Sequence, residues 1–277
     1  MSRWILVLSA LVGAALRLNA ATAADKSFDS AYKLLQDTAY GRAEEEFGKL
    51  VVTYTNWARL PQAILFQAVA RFHQTNYAGA IDLLTTPSGA AGKWADEYLF
   101  WLAKACSQKG DDRAASTNYA KLVQQFPSSS RCLEAAVGQA TAFSNLRQWQ
   151  QAVDLLQQTN GIFQNALRTN SSSELILHGQ ILLGEALLAQ QHYSAAETSL
   201  QPMAKLPLPP EVDWQRQYLL CRIQWADHRP QQALDGTTNL LPLAAKAANR
   251  RLQVESAAFR GGLLELVEDT PSLRLAL

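Results

Sequence analysis

The sequence predicts an all-α fold, a right-handed α-solenoid built from antiparallel pairs of helices. Two observations support this prediction: small residues recur at fixed separations, and large residues hold fixed places around them. Similar segments recur every 35 to 44 residues, and a period of about 20 to 50 residues is typical of architectures whose units pack only against their neighbours. The composition agrees, because 48% hydrophobic and 18% charged residues are typical of a folded chain rather than a disordered one.

Six segments align on a small residue in the second half of each unit. A first small residue lies twelve positions earlier in every copy, and an aromatic residue lies three positions before the second in four of the six copies. The first small residues are Ala31, Ala68, Ala103, Ala140, Gly184 and Cys221. The second are Ala43, Ala80, Ala115, Ala152, Ala196 and Ala233. The residues three positions before the second are Tyr40, Tyr77, Asp112, Trp149, Tyr193 and Pro230. Small side chains let two helix axes cross closely, so we predict two helices per unit, A and B, with Tyr77, Trp149 and Tyr193 packed at the start of helix B.

These features resemble the tetratricopeptide repeat, a helix–turn–helix module of about 34 residues, and the resemblance runs from Asp25 to near Leu243. The unit from Ala95 to Pro127 matches best, with KGD at its turn and a closing proline. The resemblance implies repeats at about 25–58, 61–94, 96–129, 133–170, 174–210 and 214–243, followed by a partial seventh repeat or an end helix over 244–277. Pro230, at the aromatic position of the sixth unit, is compatible with the first turn of a helix.

Breaks in the period predict local departures from this plan. The step from Ala152 to Ala196 is the longest, so we predict that seven or more extra residues lengthen helix B of the fourth unit or the loop after it. Ser171 and Glu174 have the separation of a capping box, which predicts the start of the next helix. The prolines within 206–210 predict the end of the fifth unit, because consecutive prolines cannot continue a helix.

Beyond Leu243 the sequence predicts one further long helix. Its expected apolar face consists of Leu252, Ala258, Leu263 and Leu266. Such a face normally needs a partner helix, and residues 267–277 are too few to supply one. We therefore expect either that the chain is a piece of a longer protein or that this end forms an end-to-end dimer.

The first residues have the features of a secretory signal peptide. Arg3 precedes an apolar run from Trp4 to Leu16, and small residues ending at Ala23 predict cleavage there, so residues 1–23 are expected to be removed. A retained membrane anchor is the alternative, but the run is shorter than the roughly 20 residues that span a bilayer. Loss of Arg3 and Arg17 changes the formal charge from +1 to −1, which does not favour nucleic acid as a partner. The expected location is the periplasm or the cell envelope.

Cys106, Cys132 and Cys221 are an odd number of cysteines for an exported chain, so at least one thiol is expected to stay outside an intramolecular disulfide. A role as small buried hydrophobes is expected for two of them. The four histidines, His73, His178, His192 and His228, lack the spacing of a zinc site, and His192 and His228 are expected in solvated turns between helices A and B. No phosphate loop, dinucleotide fingerprint or nucleophile motif occurs, so we expect no cofactor, no metal and no catalysis.

A surface on helix A is the expected binding site for a protein or peptide, because the concave face of such solenoids is lined mainly by these helices. The predicted partner-binding residues are Tyr32, Phe72, His73, Phe100, Lys104, Thr141, Asn145, Glu185, Arg222 and Trp225. An alternative is that Phe72, Phe100 and Trp225 pack against adjacent units. Lys104 and Asn145 occur without the remaining residues of the carboxylate clamp found in chaperone-binding members of the family.

The sequence therefore predicts a non-catalytic interaction scaffold of the bacterial cell envelope. Phe126 to Ser129 is similar to a segment of the envelope tetratricopeptide proteins of outer-membrane assembly and of the Tol–Pal system, over one unit. One alternative is the N-terminal solenoid of a larger exported protein that docks its own downstream domain. A second is a glycan-active helical enzyme, for which Glu97, Glu134 and Glu185 are the candidate acids.

Overall fold

The computed structural model describes residues 22–85 and 91–268. Every regular element in this part of the chain is a helix, which confirms the all-α prediction. The A helices of the six repeats are α1 (22–36), α3 (Leu60–His73), α5 (Ala95–Gln108), α7 (Cys132–Asn145), α10 (Glu174–Ala189) and α12 (Pro210–Ala226). The B helices are α2 (Tyr40–Thr53), α4 (Tyr77–Leu84), α6 (Asp112–Gln125), α8 (Trp149–Gln157), α11 (Tyr193–Leu200) and α13 (Pro230–Thr237). Three further helices are α9 (Ile162–Thr169), α14 (Leu240–Lys246) and α15 (Arg250–Glu268).

The chain divides into two compact units, one up to Arg131 and one from Cys132 onward. In each unit, helix A packs against the helix B that follows it and against neighbouring A helices. The first unit contains repeats one to three, and the second contains repeats four to six with α9, α14 and α15.

The predicted signal peptide, residues 1–23, lies outside the described residues except for Thr22 and Ala23, which begin α1. Among the described helices, none combines the length and the apolar character needed to cross a bilayer.

The small residues of both columns lie inside the molecule, as close helix crossing requires. The eleven alanine and cysteine residues among them are each 0% exposed, and Gly184 is also buried. Gly184 shows why the position must be small: a Cβ added there would lie 3.0 Å from Leu219 Cδ2 and 3.3 Å from Leu200 Cδ2. Leu200 belongs to the B helix of the same repeat and Leu219 to the next A helix, so this one position is where three helices meet.

The residue three positions before the second small residue begins helix B in all six repeats. In the first unit, the ring of Tyr40 stacks on His73 of the next A helix, with 4.6 Å between ring centroids and 11° between planes. Tyr77 packs 5.3 Å from Phe72 of its own A helix. Pro230 is the first residue of α13. Its missing N–H costs no helical hydrogen bond, because the N–H groups of the first turn have no acceptor within the helix.

All six turns between helices A and B share one backbone geometry. In the second repeat, Thr75 N donates to Phe72 O at 2.9 Å and Asn76 N donates to Arg71 O at 3.0 Å, which is the Schellman motif that ends many helices. The residue in the left-handed conformation is Thr38, Thr75, Gly110, Arg147, Gln191 or His228, with φ between 56° and 86°. His192 and His228 are exposed in these turns, as predicted. The same turn recurs at Ala248, between α14 and α15.

Thr75 is a costly residue for this turn, because a β-branched side chain disfavours positive φ. We expect Thr75→Gly to raise the free energy of unfolding by about 0.5–1 kcal/mol. Glycine removes the strain of the left-handed conformation, and its greater conformational entropy in the unfolded state offsets part of that gain. Gly110→Thr places the reverse change in the third turn and should lower it by a similar amount. Urea unfolding followed by circular dichroism measures both, and equal shifts of the same sign would contradict the prediction.

The extra residues of the fourth repeat form a separate helix, α9, and do not lengthen helix B or its loop as predicted. Helix B ends at Gln157, and Gly161 lies just before the first residue of α9. Gln164 Nε2 donates to the carbonyl of Leu156 at 2.6 Å, which ties α9 to the end of α8. Phe163 is 1% exposed and packs directly over Gly179 of α10.

The predicted capping box at Ser171 is wrong. The N-cap of α10 is Ser173, whose side-chain oxygen accepts from Ile176 N at 3.3 Å. A serine run offers three similar caps, and α10 begins at Glu174, directly after the last of them. The prolines within 206–210 were predicted to end the fifth unit, and they do. A 3-10 helix over Gln201–Lys205 is its last element, and the next A helix, α12, begins at Pro210.

The end of the described chain contains two helices rather than one. Residues 244–246 belong to the short α14, and the long helix begins only at Arg250. Its buried face contains Ser256, Leu263 and Val267, with Leu252 and Phe259 partly buried against other helices. Ala258 and Leu266 were predicted on this face but are exposed: Ala258 lies on the opposite side of the helix and Leu266 at the edge of the face.

All three cysteines are buried, at 4%, 6% and 0% exposure for Cys106, Cys132 and Cys221. Burial raises the pKa of the Cys221 thiol to about 11. A thiol held in its neutral form is a poor nucleophile, so Cys221 packs as one of the small residues of its column.

Candidate functional site: the aromatic ridge of the first unit

The three A helices of the first unit carry a row of aromatic side chains, here called the aromatic ridge. It consists of Tyr32 on α1, Phe66 and Phe72 on α3, Trp94 just before α5, and Trp101 on α5. Phe66 and Trp101 each precede the buried alanine of their helix by two positions. Two residues rotate a helix by about 200°, so these rings point away from the side that carries the buried alanine.

The rings of the ridge form two groups, and within each group they contact one another across the helices. Tyr32 and Phe66 have centroids 5.0 Å apart, and Phe66 and Trp94 are 6.4 Å apart with 60° between planes. Phe72 and Trp101 are 5.3 Å apart with 71° between planes, an edge-to-face arrangement that aromatic pairs favour. Tyr32 is 38% exposed, and the other four side chains are partly buried. The ridge therefore combines a packed base with an accessible surface.

A cation lies at one end of the ridge. Lys104 Nζ is 5.1 Å from the centroid of Trp101 and 5.8 Å from that of Phe72, within the range of cation–π attraction. Burial, and then the positive charge of Lys104, hold the pKa of His73 below its ordinary value. Both effects favour the neutral imidazole, so the positive charge at this end comes from Lys104.

The nearby charged residues of α5 hold the repeat together. Arg131 binds both carboxylate oxygens of Glu97, with Nε–Oε1 at 2.8 Å and Nη2–Oε2 at 3.2 Å, and its guanidinium lies 4.5 Å from the centroid of Phe100. Ser129 Oγ donates to Asp96 Oδ2 at 2.6 Å. The segment after α6 is thus fastened to the first turn of α5. Two hydrogen bonds to Arg131 therefore fix the orientation of the Glu97 carboxylate.

Four of the five predicted contact residues of the first unit lie on or beside the ridge. Tyr32 and Phe72 are part of it, and His73 and Lys104 border it. Phe100 was predicted as a partner contact, but it is 1% exposed and packs between Arg131 and Tyr119, so that prediction is wrong. Position 100 lies about 60° from the buried Ala103 around the helix, so its side chain lies near the face that packs against other helices.

Phe66, Trp94 and Trp101 were missed in the sequence. Phe66 and Trp101 share a column, two positions before the first small residue, which could have identified them. That column is aromatic only in repeats two and three, so a search for features common to all six copies passes over it.

The predicted residues of the second unit form no comparable ridge. Arg222 lies over the ring of Tyr218 at 5.9 Å, and Glu185 is exposed on the neighbouring helix. Trp225 packs partly buried against Ala233, Leu234, Leu263 and Phe259, as the packing alternative expects. Thr141 Oγ1 donates to Val137 O at 3.0 Å, and Asn145 is exposed at the end of α7. Among the described residues, no group of three or more His, Cys, Asp or Glu side chains could hold a metal ion.

Glu185 carries a pH signature that can be measured. Desolvation raises the pKa of its carboxyl, and the charges of Arg222 and His178 oppose this only in part. A folded-state pKa above the unfolded value means that the stabilisation is present below the unfolded pKa and is lost as pH rises through the folded one. We expect Glu185→Gln to flatten the fall in stability with rising pH above about 4.5. Unfolding curves at several pH values measure this, and parallel curves for the two proteins would contradict it.

Comparisons with known proteins show the fold. No protein-family model matches the chain, and no curated protein is similar to it in sequence. Among solved structures, the C-terminal part of a TPR repeat-containing protein from Cytophaga hutchinsonii has a TM-score of 0.64 at 19% identity, covering 87% of this chain and 89% of that one. A tetratricopeptide repeat protein from Parabacteroides merdae has a TM-score of 0.60 at 14% identity, covering 91% and 96%.

A third structure, of Rap protein complexed with competence and sporulation factor, has a TM-score of 0.54 at 9% identity and covers 87% of this chain and 71% of that one. All three identities are low, so the likeness concerns the fold. This chain has the helical-repeat fold of the tetratricopeptide proteins.

Proposed function

We propose that this protein is a non-catalytic interaction scaffold, exported to the bacterial cell envelope, and that it binds a segment of a partner protein on the aromatic ridge. The observation that supports the binding site is the ridge itself. Tyr32, Phe66 and Trp94 form one group of rings in contact, Phe72 and Trp101 form a second, and all five keep accessible surface on or just before A helices. Tryptophan and tyrosine are enriched among the residues that contribute most of the binding energy at protein interfaces.

The low-identity likeness to Rap protein complexed with competence and sporulation factor is compatible with a binding role for this fold. The envelope location is supported by the apolar run after Arg3 and the small residues that end at Ala23.

Site-specific crosslinking in cells tests the binding site. A photoreactive amino acid is placed at Tyr32 or His73, which are exposed on or beside the ridge, and at Val52, which is 79% exposed on α2. We expect protein adducts from the first two positions and none from Val52. Equal adducts at all three positions, or none at any, would count against the ridge as the binding site.

Export is tested separately by fusing alkaline phosphatase to the end of the chain, because that enzyme is active only outside the cytoplasm. Activity should depend on residues 4–16, and a fusion lacking them is the matched control. An active fusion without these residues, or an inactive fusion with them, would contradict export by this segment.

A further inference from the structure

We infer that two copies of this chain pair through the outer face of α15, with the two α15 helices antiparallel. The outer face is the side of α15 that lies opposite its buried residues. It consists of Arg250, Arg251, Val254, Ala257, Ala258, Gly261, Leu264 and Glu265. This inference goes beyond the proposed function, because it concerns the second unit and does not depend on the aromatic ridge.

The middle of the outer face is apolar and uncovered. Val254 is 65% exposed and Leu264 is 36% exposed. The residues between them on this side are the small Ala257, Ala258 and Gly261, and a Cβ added to Gly261 would meet nothing within 4 Å. The opposite side of α15 already packs against other helices. Apolar residues on both sides of one helix indicate that a second protein surface covers the outer one.

Charges of opposite sign lie at the two ends of the outer face. Arg250 and Arg251 are exposed at its N-terminal end, and Glu265 is exposed near its C-terminal end. None of these three side chains has an ion-pair partner among the residues that the structure describes. A second α15 laid parallel would bring like charges together. An antiparallel one brings the basic end of each copy to the acidic end of the other, which is the favourable arrangement.

Helix geometry gives the register of this pairing. Arg251 and Glu265 each lie seven residues from Ala258, about 10 Å along the axis and on nearly the same side of the helix. If the two helices cross at Ala258, Arg251 of each copy therefore lies opposite Glu265 of the other. Val254 then lies opposite Gly262, where an added Cβ would meet nothing within 4 Å. Small residues at the crossing let the axes approach closely, and the larger valine faces a residue without a side chain.

A second copy is favoured as the occupant because the outer face is complementary to itself. A twofold axis brings the same patch of both copies together, so every contact occurs twice. One pair of helices buries less surface than the roughly 1,200–2,000 Å² of a standard interface. The association is therefore expected to be weak, with a dissociation constant of about 10 μM.

Sedimentation equilibrium of the purified chain tests the pairing, over concentrations from about 1 to 200 μM that bracket this dissociation constant. The monomer has a mass of 30.5 kDa. We expect the average mass to rise towards twice that of the monomer as the concentration increases. A constant monomer mass over the whole range would overturn the inference, whether another segment of the chain or a different protein covers α15.

Val254→Asp tests the apolar middle of the face. The new carboxylate lies within the interface of both copies, so the dimer should be weakened by at least tenfold, the loss of about 1.4 kcal/mol or more. Val52→Asp is the matched control, because Val52 is 79% exposed on α2, and it should leave the dissociation constant unchanged. Circular dichroism spectra check that both variants are folded. Equal effects of the two folded variants would contradict the assignment of the interface to α15.

A charge exchange tests the antiparallel register. Arg251→Glu or Glu265→Arg alone turns two attractive pairs into two repulsive ones, so each should weaken the dimer by about tenfold. A chain that carries both changes restores the attraction and should dimerise to within about threefold of the natural chain. Weakening by the single changes without recovery in the double variant would overturn the antiparallel register, and no weakening by either single change would overturn the pairing of these charges.

Discussion

Phe163→Ala is expected to lower the free energy of unfolding of the second unit by about 3–5 kcal/mol, the usual cost of removing a fully buried phenylalanine. Phe163 is 1% exposed and joins the core formed by repeats four and five. Its helix, α9, has eight residues and cannot be stable alone. Loss of the ring should therefore release α9 as well as leave a cavity, and urea unfolding followed by circular dichroism measures the change.

Gly179→Ala tests the same contact from the other side, because its effect on stability should change sign when Phe163 is replaced by alanine. A Cβ at Gly179 would lie 2.2 Å from Cε2 of Phe163, so Gly179→Ala should cost about 1–3 kcal/mol or more in the natural chain. In the Phe163→Ala background the clash is absent, and alanine is favoured over glycine within a helix by about 1 kcal/mol. The same substitution should then be stabilising.

A double-mutant cycle is the measurement, since it isolates the coupling between two side chains in contact. Additive effects of Phe163→Ala and Gly179→Ala would show that α9 does not pack over α10 in solution. Gly161→Ala is a poor control because its Cβ would lie 2.9 Å from Gln158 O. Gly262→Ala is the suitable one, because a Cβ there meets nothing within 4 Å.

The repeat could be predicted from the sequence because its two columns of small residues follow from a local rule. A helix crossing excludes large side chains whatever surrounds it, so Ala31 and Ala233 are both 0% exposed although different residues surround them. The start of helix B is equally local, and all six starts were placed correctly. Turns, helix caps and helical periodicity are each determined by residues within a few positions of the feature itself.

The features that the sequence did not yield depend on contacts between distant residues. Nothing in residues 158–173 distinguishes a lengthened helix from a new one, because the decision lies with Gly179, which has room for the ring of Phe163. The buried face of α15 was misplaced for a related reason. Several assignments of its apolar residues have helical spacing, and contacts with α12, α13 and α14 select the one that contains Leu263 and Val267.

The candidate site was predicted only in part because function departs from the repeat. Lys104 and Phe72 were found by their positions relative to the first small residue of each repeat. The residues that complete the ridge occur in only two or three repeats, so the repeat pattern did not point to them. A pattern common to all repeats describes what holds the fold together. A surface specific to one unit, such as Trp94 beside Phe66, appears only after the helices are placed.

Ala80→Leu provides the most direct test of the principle on which the fold depends. Ala80 is 0% exposed, and its helix packs against both α3 and α5. Leucine adds three heavy atoms where the helices are closest, so the axes must separate or the side chain must leave its preferred rotamer. We expect a loss of about 3 kcal/mol, at the upper end of the range for overpacking, because Ala80 has no exposed surface and the added atoms must displace packed neighbours.

Ala78→Leu is the matched control, since Ala78 lies two residues earlier on the same helix and is exposed. Both substitutions add the same atoms and have the same small effect on helix propensity, so their difference isolates the crossing. Ala78→Leu should change the free energy of unfolding by less than about 0.5 kcal/mol. If the two variants lose stability equally, then the twelve-residue interval between small residues does not mark helix crossings.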